Sequence, residues 1–487
     1  MFHSVLQDTI CAIVTPPGTG GVAIVRTSGP DAFAICDKLF TPGKIRETED
    51  CRGDSWMVAQ ISETEKVDRQ KKKLSDYHAF TVVYGSIKSG EEVLDEVLAT
   101  IFRSPHSFTG EDTVEINCHG SIYIQQQILW LLIENGARTA KPGEFTQRAF
   151  LNGKMDLSRA EAVADLIAST SAGMHRLAIN QMRGGFSNEL TRLRTQLLNF
   201  TSLIELELDF AEEEVEFADR AQLITLSENI HRTISQLADS FSFGNAVKNG
   251  IPVAIIGKPN TGKSTLLNAF LNEERAIVSE IPGTTRDTIE ETLTIGGQQF
   301  RFIDTAGIRH HTNDRIEAMG IQRTFEKAEK AAIILYLFDL TVEDDLNDLT
   351  ATYQWVQKFQ KQILFIGTKN DIARRTPTQI SENVLPVHIS CKDPADIERI
   401  KSIILDFTQI PSFDSNDLII TNIRHYEALS KALSAIMRVI ESLKNNLSGD
   451  FLSQDIRECI HYLGEITGEI TTNDILSNIF SKFCIGK

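Results

Sequence analysis

The spacing of apolar residues changes along the chain, and each change predicts a different architecture. Near the N-terminus, TICAIV and VAIV flank the turn-rich TPPGTGG, which predicts a strand, a loop and a second strand. Residues 41–78 are polar, include Lys71-Lys72-Lys73, and predict a loop or small insertion. From 251 to 411 short apolar runs alternate with helical stretches; the runs are IPVAIIG, QQFRFID, AAIILYLFD, QILFIGT and VHIS. Strands alternating with helices predict an α/β domain with a largely parallel sheet. Gly296-Gly297, between TLTI and QQFRFID, predicts a hairpin and hence one antiparallel strand. Residues 143–251 and 412–487 contain no proline. Proline breaks helix interiors, so these blocks predict helical bundles. Within the first, Leu190, Leu193, Leu197 and Ile204 fall near one helical face and are expected in a core.

Length and charge narrow the picture. A chain of 487 residues suggests about three domains. The net charge of −17 argues against a protein that simply coats nucleic acid, because polyanion affinity comes mainly from Lys and Arg. The charge is uneven, however: Arg176, Arg183, Arg192 and Arg194 precede an acidic run from Glu205 to Asp219. Any nucleic-acid contact is therefore expected to be local. No apolar run reaches the roughly 18 residues of a membrane helix, and the N-terminus lacks the basic start of a signal peptide. The seven cysteines are scattered without a C-x-x-C, which fits free thiols in a reducing cytoplasm.

The chemistry is concentrated after Ile256. Gly257-Lys258-Pro259-Asn260-Thr261-Gly262-Lys263-Ser264 matches G-x-x-x-x-G-K-[ST] between an apolar run and the helical STLLNAFL. Glycines let backbone N–H groups wrap phosphate oxygens, and the helix N-terminus adds partial positive charge. Lys263 is expected on the β- and γ-phosphates and Ser264 on Mg²⁺. Asp304-Thr305-Ala306-Gly307 fits D-x-x-G, which reaches the metal shell and the γ-phosphate. Thr368-Lys369-Asn370-Asp371 fits [NT]-K-x-D, with Thr where Asn is usual. A carboxylate at Asp371 accepts from guanine N1–H and the exocyclic amine, groups that adenine does not present there, so GTP is favoured over ATP. Ser390-Cys391-Lys392 fits the S-A-K loop beside the base, with Cys for Ala.

Two features depart from an ordinary GTPase. Ile308 follows Gly307, where many GTPases carry the Gln that orients the attacking water. Glu317, ten residues after Gly307, is a candidate to place that water through a bridging water. Asn260, with the downstream Gly283-Thr284-Thr285-Arg286-Asp287, is suited to hold a monovalent cation where other systems place an arginine finger; Thr285 is the natural second Mg²⁺ ligand.

Long segments then resemble one family, the tRNA-modification GTPase MnmE (TrmE) family. They are TPPGTGGVAIVRTSG, SFTGEDTVEINCHG, KPGEFTQRAFLNGKMDLSRAEAVADLI, GKPNTGKSTLLNAF, PGTTRD, DTAGIR and the terminal FCIGK. The resemblance implies a multidomain α+β and α/β chain. Residues 1–153 would form an N-terminal folate-binding α/β domain that also dimerises, and 250–411 an inserted Ras-like P-loop G domain. Residues 154–249 and 412–487 would be the two parts of a discontinuous helical domain, ending in Cys484-Ile485-Gly486-Lys487.

The family's sites carry over by position. The GTP set would be Asn260, Thr261, Gly262, Lys263, Ser264 and Thr265, with Ser279, Glu280, Ile281, Pro282, Gly283, Thr284 and Thr285. It continues with Asp304, Thr305, Ala306 and Gly307, then Thr368, Lys369, Asn370 and Asp371, and lastly Ser390, Cys391 and Lys392. Ser264 and Thr285 match Mg²⁺ ligands, while Asn260, Ser279, Ile281 and Thr284 match the positions that contact K⁺. Glu317 matches the catalytic Glu and Cys484 a cysteine near the folate site. Arg26, Glu115, Lys154 and Lys487 match positions that bind 5-formyltetrahydrofolate.

The implied activity is K⁺-activated GTP hydrolysis, coupled to addition of a carboxymethylaminomethyl or aminomethyl group at C5 of the wobble uridine of certain tRNAs. The implied assembly is a cytoplasmic homodimer that joins an FAD-dependent MnmG/GidA-type subunit in a heterotetramer, with no membrane part. Two other readings of the nucleotide motifs are a ribosome-assembly GTPase, which folate binding would separate, and a scaffold whose nucleotide only switches conformation.

Overall fold

The structure is a computed structural model. It describes residues 8–43, 72–209, 220–274, 291–303, 328–347, 349–359, 361–373, 376–381, 384–407, 418–445, 449–481 and 483–486. The chain divides into two compact units. The first combines Met1–Ala164, Ser187–Arg194 and His461–Lys487; the second combines Asp165–Phe186 and Thr195–Ile460.

The first unit is built on a seven-stranded sheet. Its strands are β1 (Ile10–Ile13), β2 (Gly20–Ser28), β3 (Phe40–Pro42), β4 (Thr81–Ser89), β5 (Glu92–Phe102), β6 (Thr113–Gly120) and β7 (Arg138–Thr139), in the order β3-β4-β5-β6-β2-β1-β7. The expected strand–loop–strand is β1 and β2, which pair antiparallel. Every neighbour is antiparallel except β1 with β7. The layout is thus α+β, where the resemblance implied an α/β domain, because the pairing is antiparallel throughout except at β1–β7, although helical crossovers link β2 to β3 and β6 to β7.

Alternation sets the faces of this sheet. Val83 and Ile87 of β4 point inward beside Val97, Ala99 and Ile101 of β5. They pack under α1 (Ala32–Leu39) and α2 (Ile122–Glu134), which contribute Phe33, Cys36, Ile128 and Leu132. The intervening Val82, Tyr84 and Leu98 are exposed. Of the polar stretch 41–78, residues 44–71 lie outside the described residues. On its far side the Asp37 carboxylate accepts from the N–H of Leu74 and the hydroxyl of Ser75, tying the returning chain to α1.

Two helices follow, α3 (Glu144–Leu151) and α4 (Leu157–Ile167). Leu157 and Ala160 bury against Phe480 and Phe483 near the C-terminus. Gly143 is left-handed, and a Cβ there would lie 2.6 Å from the carbonyl of Phe480. Only glycine permits this approach of the tail.

Helices fill the proline-free blocks, as expected: α5 (Ala172–Met182), α6 (Gly185–Asp209), α7 (Arg220–Asn249), and later α12 (Ile423–Lys444), α13 (Gly449–Thr467) and α14 (Asn473–Phe480). The expected core leucines of α6 are buried: Leu190, Leu193 and Leu197 are each 0% exposed. Within the second unit α7 packs along α12. Phe241 stacks on Tyr426 at 4.6 Å, and Ile230, Ile234 and Leu237 are buried.

The second unit also contains a six-stranded sheet, in the order β13-β12-β11-β8-β10-β9. The strands are β8 (Ile251–Gly257), β9 (Glu291–Ile295), β10 (Gln298–Phe302), β11 (Ile333–Asp339), β12 (Gln362–Thr368) and β13 (Val387–His388). Only β9 is antiparallel, joined to β10 through Gly296 and Gly297 at φ 59° and 80°. Two successive positive φ values define the hairpin turn that the glycine pair predicts. The sheet is covered on both faces, so every residue of β11 is buried. On one face Leu266, Leu267 and Phe270 of α8 (Lys263–Glu274) join Ile397, Ile400 and Ile404 of α11 (Pro394–Phe407). On the other, Tyr336, Phe338 and Phe365 pack with Leu349 and Ile380. Leu349 belongs to the short α10 (Leu349–Val356), which follows α9 (Glu343–Asn347).

Candidate functional site

The C-terminal ends of β8, β12 and β13 carry the described nucleotide motifs. β8 runs into the loop 257–262 and then into α8, the strand–loop–helix order that a phosphate cradle requires. Gly257 has φ 156°, and a Cβ there would lie 2.3 Å from the Leu337 carbonyl of the adjacent β11. Gly262 has φ 89°, and Asn260 holds the left-handed region at φ 65°, a conformation asparagine tolerates better than most residues. Lys263 at the helix start folds back, and its Nζ donates to the carbonyls of Gly257 (2.8 Å) and Lys258 (2.6 Å). The ammonium therefore sits on the rim of the loop that would wrap phosphates. Ser264 and Thr265 occupy the first turn of α8.

The loop Thr368–Asp371, which carries the [NT]-K-x-D pattern, leaves β12. Thr368, found where Asn is usual, donates from Oγ1 to the Thr261 carbonyl at 2.8 Å. The hydroxyl thus ties the base loop to the phosphate loop. Lys369 has φ 60°, and its Nζ pairs with Asp339 at the end of β11, at 2.5 Å. Burial raises the Asp339 carboxyl, but hydrogen bonds from Lys369 and Thr341 outweigh it and hold it below the usual carboxylate range. The Asn370 N–H donates to the Ile389 carbonyl, which brings the Ser390-Cys391-Lys392 turn alongside.

Lys392 Nζ reaches Asp371 at 3.3 Å. Partial burial raises the Asp371 carboxyl, while the hydrogen bond and charge of Lys392 outweigh it, so it also sits below its ordinary range. An ionised Asp371 accepts hydrogen bonds, as guanine recognition demands. Burial pushes the neighbouring Cys391 thiol up, with help from the Asp371 and Asp396 carboxylates, so it fills the position as a neutral side chain.

The structure therefore brings together Asn260, Thr261, Gly262, Lys263, Ser264 and Thr265 with Thr368–Asp371 and Ser390–Lys392. Ser279 to Thr285, Asp304 to Gly307, Ile308 and Glu317 lie outside the described residues.

A second candidate site lies in the first unit. Arg26 of β2 and Glu115 of β6 are register partners, with Arg26 Nη2 at 2.7 Å from Glu115 Oε1. The guanidinium lies over the rings of Phe108 (5.7 Å) and Phe145 (5.5 Å). Those two aromatics have no local sequence signal that links them to Arg26. Lys154 Nζ donates to the Pro105 carbonyl at 2.9 Å, at the start of the segment that carries Phe108. Cys484 is exposed, and its carbonyl accepts from the Gly143 N–H. Lys487 lies outside the described residues.

A buried ion network stands behind this site. Arg148 is 0% exposed. It donates to the carbonyl and carboxylate of Asp8, to Glu111 and to Glu144. Glu144 also pairs with Arg138 at 2.6 Å. Glu111 in turn accepts from the Ser28 hydroxyl at 2.8 Å.

Known proteins place these features in context. The family model described as "GTP-binding protein TrmE N-terminus" matches residues 9–154, and the "MnmE helical domain" model matches 157–484. A "tRNA modification GTPase MnmE" of Parabacteroides distasonis is 55% identical over 99% of this chain and 100% of its own length. Proteins of the same name from Bacteroides fragilis and Flavobacterium psychrophilum are 53% and 48% identical, each over 99% of this chain and 100% of its own length. A solved structure of Era with MgGDPNP and a 16S ribosomal RNA fragment aligns with 38% of this chain and 66% of that chain, at 25% identity and a TM-score of 0.24, too loosely to bear on the fold. Helical and N-terminal models that together span nearly the whole chain, with full-length relatives at this identity, lead to one conclusion: the chain belongs to the tRNA modification GTPase MnmE family.

Proposed function

We propose that this GTPase is activated by K⁺ and works as a cytoplasmic homodimer in complex with an FAD-dependent MnmG/GidA-type subunit. Together they add a carboxymethylaminomethyl or aminomethyl group at C5 of the wobble uridine of certain tRNAs, with 5-formyltetrahydrofolate or a related folate as one-carbon source. Its parts are an N-terminal domain over 1–153, a G domain over 250–411, and a helical domain split between 154–249 and 412–487. Among the described residues no helix is long and apolar enough to cross a membrane.

The observation that carries this reading is that the G-x-x-x-x-G-K-S loop and the Asp371 carboxylate stand on one sheet, within a chain that matches tRNA modification GTPases over 99% of its length. Lys263 leaves two carbonyl partners for the β- and γ-phosphates, and the N–H groups of 260–264 bind the oxygens between them. Asp371 accepts from the guanine edge, and Thr368 fixes the distance between the two loops. Glu317 orients the attacking water.

The donor types at this site suit hard cations, since Ser264 and Thr285 offer hydroxyls and Asn260 an amide oxygen. Mg²⁺ held by Ser264 and Thr285, and K⁺ held by Asn260, Ser279, Ile281 and Thr284, would neutralise charge that develops on the phosphates. In the first unit Arg26 uses Oε1 of Glu115, which leaves Oε2 to accept from a pterin-like donor edge. Lys154 and Lys487 are suited to the carboxylates of the folate. Cys484 is exposed at the same end of the chain.

The direct test is steady-state GTP hydrolysis by the purified chain in K⁺ and in Na⁺. Turnover should be at least tenfold faster in K⁺, and Glu317→Ala should remove it while GTP still binds. Equal rates in the two salts, or undiminished turnover by Glu317→Ala, would contradict the reading.

A further inference from the structure

Two aspartates outside every nucleotide motif stand between the phosphate loop and the base loop. Asp339 ends β11 and is 4% exposed; Asp345 lies in α9 and is 7% exposed. Asp345 Oδ1 pairs with Lys258 of the phosphate loop at 3.1 Å, and its Oδ2 accepts from the backbone N–H of Asp339 at 3.1 Å. Asp339 Oδ2 in turn pairs with Lys369 of the base loop, and its Oδ1 accepts from the N–H and hydroxyl of Thr341. One connected line, Lys258–Asp345–Asp339–Lys369, thus joins the two loops through two carboxylates that belong to neither loop.

Burying two carboxylates costs free energy unless each is paired and hydrogen-bonded, as both are here. The lysines they hold come from the two loops whose spacing a nucleotide must match. Lys369 is also held at φ 60°, a backbone conformation rare for a residue of its kind, so its loop needs an outside anchor. The Thr368–Thr261 bond also ties these loops together.

We propose that Asp339 and Asp345 are positioning residues for the nucleotide site, setting the separation of the phosphate and guanine loops through Lys258 and Lys369. This rests on the guanine-nucleotide reading of the site. The link acts on the resting geometry of both loops, so it should affect GDP and GTP alike.

The test is a double-mutant cycle on the full chain, with fluorescent N-methylanthraniloyl GDP and GTP as probes. Asp345→Asn should weaken both nucleotides about tenfold, the order expected for one charged hydrogen bond. Lys258→Gln, at a half-exposed position, tests the same link should Asp345→Asn fail to fold. The double variant should bind no more than about twofold more weakly than the weaker single, because each residue acts through the other. A purely structural role for Asp345 would lower the urea midpoint yet leave the two losses in affinity additive. Unchanged affinity in both single variants, or additive losses in the double, would overturn the proposal. A wild-type chain that binds neither probe would instead overturn the nucleotide site itself.

Discussion

Arg26 and Glu115 face each other across two neighbouring strands at 2.7 Å, fixed by sheet register before any ligand arrives. Lys263 and Asp371, which would grip opposite ends of one nucleotide, stand instead at the start of α8, just after the β8 loop, and on the loop after β12. There Lys263 rests on carbonyls of its own loop and Asp371 on Lys392. The strand site is held by side chains from distant parts of the sequence and backed by a buried ion network. The loop site is held by backbone conformation and by a few ties between loops. Sheet register gives a rigid floor for recognition, whereas loops can follow a ligand whose phosphates change during turnover.

The sharpest way to break this contrast is to remove the rigid support. Arg148→Met leaves Glu111 and Glu144 without the buried guanidinium that satisfies them. Removing one side of such a network costs about 3–5 kcal/mol, so urea unfolding of the first unit should shift by that order while nucleotide affinity stays intact. Lys263→Ala attacks the other side. It should weaken GTP by about a hundredfold or more, roughly 2.7 kcal/mol, in a direct binding titration and leave the fold in place. A smaller change is expected of Glu115→Gln, which keeps the shape and removes the charge. Formyltetrahydrofolate affinity should fall about tenfold by calorimetry, as for loss of one charged hydrogen bond.

The mildest prediction concerns acid. For Asp8 and Glu144 burial raises the carboxyl pKa, but hydrogen bonds from Arg138 and Arg148 outweigh it and leave both lowered. Groups with lowered folded values stabilise the chain above the ordinary carboxylate range, near pH 4, and lose that contribution as pH falls through the folded values. The urea midpoint of the first unit should therefore hold between pH 7 and about 5 and fall below about 4. Arg148→Met should flatten that fall.

The loop site was the more legible of the two in the sequence. A phosphate loop consists of consecutive residues because the backbone must wrap one anion, so spacing alone locates it. Gly296-Gly297 announced its hairpin for a similar reason, since few other pairs accept two positive φ values. The strand site was hidden from local pattern. Arg26 and Glu115 lie 89 residues apart and meet only through register, so the family resemblance had to point to them. Phe108, Phe145 and Arg148 escaped notice because a buried aromatic or a helix arginine looks the same in sequence whatever it faces. Asp339 closes the apolar run AAIILYLFD and Asp345 belongs to no motif, so only the fold sets them against Lys369 and Lys258.

The central claim is that both sites serve one modification. Mass spectrometry of tRNA nucleosides tests it most directly, in a strain lacking this chain and complemented with wild type, Lys263→Ala or Glu115→Gln. Wild type should restore the C5 substituent on the wobble uridine, and each variant should leave it depleted although the protein is present at normal levels. A fully modified wobble uridine in either variant strain, or no change on deleting the chain, would contradict the account.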